Sequence, residues 1–247
     1  MAEGTAEPAQ EPPAAALEAP DYPIRLVAYG TQRRSRLTVL FRLVLATPHI
    51  YWMMLWGAAA AVVAFVSWWA TLFAGRSPEP LHRFLARFMR YLTHATAYLM
   101  LLANPYPHFV GDPGDYPIDL EIDGPARQSR WKTAFRLILA IPAFVLATVF
   151  GYLLQILAVL GWFASIVLGR MPEGMQSLGL FCLRYQQQTY AYALLLTDRY
   201  PALASPPPAS GDWQKPVPGW EREARAAGWL PGPTARQGAD GPTSSGA

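Results

Sequence analysis

The chain is short of charge. Of its 247 residues only 15% are Asp, Glu, Lys or Arg, against roughly 25% in ordinary soluble domains. One cysteine, Cys182, excludes an intrachain disulfide framework and a four-cysteine zinc site. It lies among apolar residues and reads as an inert buried thiol. Four histidines (His49, His82, His94, His108) stand without ligand spacing, and no carboxylate cluster accompanies them. No metal and no cofactor is therefore expected. The sequence has no Gly-rich phosphate loop, no nucleophile elbow and no HExxH motif. No acid, base and nucleophile set can be assembled, so no catalytic residue is expected and the chain reads as a non-enzyme. The first residues lack a basic start, and no apolar stretch precedes residue 24, so no secretory signal is expected.

What is present is apolar and unevenly punctuated: 52% hydrophobic residues, 24 prolines and 19 glycines. Residues 1–20 carry four acids and no base; residues 21–204 carry 16 Lys/Arg against 9 Asp/Glu; the stretch from Ser205 carries four of each. The bases of the core flank apolar runs, which suits anionic headgroups better than nucleic acid. Residues 1–20, rich in Ala, Pro and Glu, and 205–247, rich in Pro and Gly, are expected to be disordered. Trp213, Trp220 and Trp229 in the second of these are either chance or a docking segment.

The strongest signal is an internal repeat. Tyr22-Pro23-Ile24 returns as Tyr116-Pro117-Ile118, and the offset of 94 then links Ser35-Arg36 to Ser129-Arg130, Phe41-Arg42-Leu43 to Phe135-Arg136-Leu137, and Pro48 to Pro142. It continues through Gly75-Arg76 and Gly169-Arg170 to Arg90-Tyr91 and Arg184-Tyr185, and ends at Tyr106-Pro107 and Tyr200-Pro201. About 30 of 88 aligned positions are identical without a gap. The chain is two copies of one unit, joined by the acidic link Gly111–Asp115.

Each copy opens with a strand-like segment; Tyr116, Ile118, Leu120 and Ile122 alternate with Pro117, Asp119, Glu121 and Asp123. A lone strand is unstable, so the two copies either pair with each other or lie extended at a membrane surface. A basic stretch follows (Arg33, Arg34, Arg36, Arg42; Arg127, Arg130, Lys132, Arg136). It is either an interfacial amphipathic helix or the first turns of the next helix with snorkelling arginines.

Then come the long runs. Leu43–Ala74 and Leu137–Leu168 hold no Asp, Glu, Lys or Arg across 32 positions each; a membrane span needs about 20. Pro48 and Pro142 suit the first turn of a helix. Gly57 and Gly151 are either close-packing positions or the bend of a re-entrant hairpin. Gly75-Arg76-Ser77-Pro78 and Gly169-Arg170-Met171-Pro172 stop the runs, and a second helix is expected after each.

The fold expected is an all-α integral membrane protein. It has four transmembrane helices as two parallel two-helix repeats related by an axis along the membrane normal, with short strands and amphipathic helices at the interface. Repeat 1 is 21–110, with spans at about 48–73 and 81–103; repeat 2 is 111–204, with spans at about 142–167 and 175–197. Fourteen of the 20 Lys/Arg lie outside the two hairpin connections. That favours a multi-pass membrane protein with both termini cytoplasmic.

Arg90 and Arg184 occupy one repeat position in the second helices. With Arg42 and Arg136 they are the candidate anion or headgroup contacts; the alternative is an interfacial snorkel that sets helix depth. The expected role is non-catalytic, an accessory or scaffold protein contacting membrane lipid or a membrane-protein partner. The rival is a small transporter or lipid-handling protein with a path between the repeats, which a tightly packed centre would remove.

The repeated residues resemble a bacterial membrane family, domain of unknown function 4389. The resemblance rests on Tyr116–Ile118, Ser129-Arg130, Arg42 through Pro48-His49, Gly169–Pro172 and Asp198–Pro201, and covers roughly residues 22–203. The second copy has Ala143 in place of the motif histidine, and the first has Asn104-Pro105 in place of Asp-Arg. The resemblance implies a membrane location, the bacterial inner membrane, and no activity.

Overall fold

A computed structural model describes residues 22–28 and 36–203. The expected disorder of 1–20 and 205–247, the tail tryptophans, and Arg33 and Arg34 of the basic stretch lie outside the described residues. Each repeat runs strand, short helix, long helix, second helix. Repeat 1 holds β1 (Ile24–Ala28), α1 (Arg36–Leu40), α2 (Arg42–Ala74) and α3 (Glu79–Leu99). Repeat 2 holds β2 (Ile118–Ile122), α4 (Arg130–Ala134), α5 (Arg136–Leu168) and α6 (Glu173–Ala193).

The strand copies do pair. β1 and β2 form an antiparallel ribbon with Leu26 opposite Leu120. These two residues are themselves related by the repeat offset, so the local twofold relation passes between them. Ile24, Leu26, Ile118 and Leu120 turn inward and are buried, while Arg25 and Glu121 stay exposed and pair at 3.2 Å.

The basic stretch divides. Arg36, and in the second copy Arg130 and Lys132, lie in a separate five-residue helix, and after a single turn residue, Phe41 or Phe135, Arg42 or Arg136 opens the long helix. Pro48 and Pro142 therefore stand inside α2 and α5, later than the first turn the sequence suggested. The helices pass unbroken through Gly57 and Gly151, which removes the re-entrant hairpin. Gly57 packs on Phe88 of α3, whose ring would stand 3.7 Å from an added Cβ. The glycine stops behave as expected: Gly75 adopts φ 75° and closes α2 with its N–H on Thr71 O at 2.8 Å.

Two features differ from the sequence expectation. First, among the described residues two helices, not four, are long and apolar enough to cross a membrane: α2 and α5, each 33 residues. Only 11% and 22% of their most apolar windows are buried. α3 and α6 have 21 residues each and near-neutral composition, and most of their length is buried inside the protein. A helix buried in its own protein and a helix buried in lipid both hide most of their surface, and sequence alone confuses them.

Second, the repeats do not run parallel. Trp68, near the end of α2, donates its indole N–H to Thr133 O before α5 at 2.8 Å. Its repeat partner Trp162, near the end of α5, donates to Val39 O before α2 at 3.1 Å. The end of each long helix thus meets the beginning of the other, and α2 and α5 are antiparallel. α3 and α6 follow the same rule, since Gly179 early in α6 lies against Leu102 just past α3. The ribbon packs on α3 and α6, which in turn carry α2 and α5. Leu85 and Met89 of α3 and Cys182 and Leu183 of α6 are buried in one core cluster.

Candidate functional site

Arg42 stands at the first position of α2 and is 2% exposed. Its Nη1 donates to Tyr98 O at 2.7 Å and to Ala103 O at 3.1 Å, and its Nη2 to Asn104 Oδ1 at 3.3 Å. The guanidinium lies 4.4 Å over the Tyr98 ring. Arg136 repeats this at the start of α5. Its Nη1 donates to Tyr192 O and Thr197 O at 2.7 and 2.8 Å, and its Nη2 to Gln128 Oε1 and Asp198 Oδ1 at 2.9 and 3.0 Å. The Tyr192 ring lies 4.6 Å beneath. Helices end with carbonyls that lack intrahelical partners, and a cation is favoured there. Both arginines therefore clamp the end of the following helix and the chain that leaves it. This corrects the reading of Arg42 and Arg136 as headgroup contacts: their forked donors point inward at the protein's own carbonyls.

Arg90 and Arg184 are not gathered with them. Arg90, half-buried on α3, donates Nε–H to Leu120 O of the ribbon at 3.0 Å. Arg184 is buried on α6 near Tyr22; burial pushes its pKa below the usual value, and Tyr22 partly offsets this. The four candidates thus divide into two clamps and two residues beneath the ribbon.

Sequence reasoning missed three other groupings. His94 Nε2 lies 2.9 Å from Asp119 Oδ1, both buried, and the His94 ring stacks on Tyr116 at 4.9 Å. Burial raises the Asp119 pKa, but His94 and the N–H groups of Gly114 and Leu120 outweigh it, and the carboxyl sits below its usual range. In the strand's alternation Asp119 stands among the polar positions, yet it is buried. His49 Nδ1 meets Tyr91 Oη at 2.9 Å and stacks on Phe109 at 4.4 Å. Among the described residues no three His, Cys, Asp or Glu side chains gather as metal ligands. Burial raises the Cys182 thiol to about 11, which keeps it protonated and unreactive at neutral pH.

The third grouping is an arginine cleft. A hollow of about 580 Å³ lined by Ala74, Gly75, Arg76, Arg127, Gln128 and Arg130 opens where α2 ends. Arg127 and Arg130 are conspicuous in sequence. Their meeting with Arg76 is not, because it depends on the antiparallel arrangement of the repeats.

The long helices carry an extended apolar surface. Exposed side chains run the whole length of α2, from Leu43 (75%) to Phe73 (71%), and of α5, from Leu137 (71%) to Val167 (72%). The buried residues of α2 (Arg42, Ala46, His49, Ala60, Ser67, Thr71) form one narrow stripe, so most of the helix circumference is uncovered.

A family model, Domain of unknown function (DUF4389), matches residues 36–111 and again 130–205. No curated protein and no solved structure matches the chain.

Proposed function

The chain belongs to the DUF4389 family of domains of unknown function, in two tandem copies, and on that premise we propose a non-catalytic, lipid-contacting membrane protein seated in one leaflet. Its long helices α2 and α5 lie along the membrane, and the ribbon faces water. The observation that carries this reading is the uncovered apolar surface of the two long helices. In water such a surface would far exceed the few hundred Å² that soluble proteins leave exposed.

Two physical arguments favour the flat seat over an upright one. The uncharged run of each long helix is about 48 Å long at 1.5 Å per residue, and its exposed apolar side chains reach both ends. The hydrocarbon core is about 30 Å thick. Standing the helices across it would need a tilt beyond the range of about 0–40° that spanning helices adopt. Moreover, the twofold relation exchanges α2 and α5 end for end, so the ribbon sits level with their middles. An upright seat would put Arg25, Glu121 and Asp123 near the bilayer centre, together with a sheet whose outer edges no third strand covers among the described residues. Backbone groups and charges are expensive there. Lying flat, the molecule turns the ribbon to water, and its twofold axis stands along the membrane normal.

The non-catalytic part of the reading is supported by how the buried polar groups are used. Arg42, Arg136 and the His94–Asp119 pair hold the protein's own backbone and side chains. The rival reading, a path between the repeats, has to contend with Leu85, Met89, Cys182 and Leu183, which are buried in one core cluster. The remaining reading, an accessory or scaffold protein at a membrane, needs only the embedded surface. The test is partition of the full chain. It is expected to stay with membranes through a sodium carbonate wash and to float with vesicles. Recovery in the carbonate supernatant would end the proposal.

A further inference from the structure

The arginine cleft at the end of α2 is a built corner, joined from two segments far apart in sequence. Gln128 N–H donates to Gly75 O at 2.9 Å, and Arg76 and Arg127 form an isolated antiparallel bridge. Arg130 leans over the corner, its Nε 3.7 Å from where a Cβ on Gly75 would stand. All three arginines are exposed, and among the described residues none has a carboxylate partner. Three like charges held together repel unless an anion joins them. Each guanidinium presents a planar fork that fits phosphate oxygens in pairs. The neighbouring surface is apolar: Phe73, just before the cleft, is 71% exposed.

We propose that this cleft binds the phosphate of an anionic phospholipid, with Arg76, Arg127 and Arg130 on the headgroup and the acyl chains along the exposed end of α2. The site rests on the membrane seat proposed above and adds a ligand class to it. A basic cleft alone would suit any phosphate; the apolar helix end beside it selects the lipid.

The test uses the full chain in neutral detergent micelles with phosphatidylglycerol, phosphatidylcholine or inorganic phosphate added, and bound ligand read by native mass spectrometry. Wild type is expected to retain phosphatidylglycerol at least tenfold better than the Arg76→Gln, Arg127→Gln, Arg130→Gln triple variant, since each basic residue near a lipid surface contributes roughly fivefold. The matching triple lysine variant is expected to keep most of the preference. An Arg83→Gln, Arg87→Gln control, which removes exposed charges outside the cleft, is expected to keep all of it. If the triple glutamine variant does not fold, Arg76→Gln alone carries the comparison, with a loss of about fivefold expected.

Equal retention by wild type and cleft variants overturns the site, as does an equal loss in the control. Displacement by inorganic phosphate at matched concentration makes the ligand a free phosphate and overturns the lipid assignment. The two proposals fail separately. A wild type released by carbonate fails the membrane seat, whereas a membrane-bound wild type without a phosphatidylglycerol preference fails only the cleft.

Discussion

Arg42 and Arg136 differ in one neighbour, and that neighbour sets how much each matters. Arg136 faces the carboxylate of Asp198, which also lies 3.4 Å from Lys132; Arg42 faces the neutral amide of Asn104. Removing Arg136 strips the carbonyls of Tyr192 and Thr197 and leaves a largely buried carboxylate with one exposed lysine. Arg136→Gln is expected to cost about 3–4 kcal/mol, and Arg42→Gln about 2 kcal/mol. Asp198→Asn, which copies the first repeat, is expected to cost about 1 kcal/mol. Unfolding midpoints of the full chain in detergent check the order; a reversal would contradict the clamp. The arginines were legible as a repeated position, but their task was not, because the carbonyls they meet lie 56 and 61 residues further on. A signal did exist: Arg42 and Tyr98 recur together as Arg136 and Tyr192, at one separation in both copies.

Among the elements, the strands and the helix stops were readable because their causes are local. Alternation marks a strand, and Gly-Arg-x-Pro ends a helix. The second helices, expected as spans, are not among the two described helices that are long and apolar enough to cross a membrane, and the ribbon and the long helices pack against them. The charges at Arg83, Arg87 and Arg90 were the available warning. In sequence the link after α3 is only an acidic joint between the repeats, yet Gly111 packs on that helix so tightly that an added Cβ would stand 1.9 Å from Arg87 O and 2.7 Å from Tyr91 N. Backbone atoms cannot step aside as a flexible side chain would. Gly111→Ala is expected to cost about 3 kcal/mol, whereas Gly124→Ala, with open space around it, is expected to change the unfolding midpoint little. Equal midpoints for the two variants would show that the link does not hold α3.

At the scale of the molecule, an offset of 94 announces duplication but carries no direction. Whether two copies run parallel or antiparallel is decided by contacts such as Trp68 with Thr133 and Trp162 with Val39, which no single repeat contains. Counting two spans per copy forced a parallel answer. The proposed flat seat follows from two long apolar helices among the described residues, antiparallel and joined by a link that runs back along them through an acidic strand. The repeat-related residues Glu79 and Glu173, both exposed, lie just past the ends of α2 and α5 and so at opposite ends of the molecule. In a Cys182→Ala background, Glu79→Cys and Glu173→Cys can each be treated with a membrane-impermeant maleimide, in intact spheroplasts and in inverted vesicles. The expected result is labelling of both cysteines in the same preparation and of neither in the other. Labelling of one cysteine in spheroplasts and the other in inverted vesicles would contradict the flat seat and stand the long helices across the bilayer.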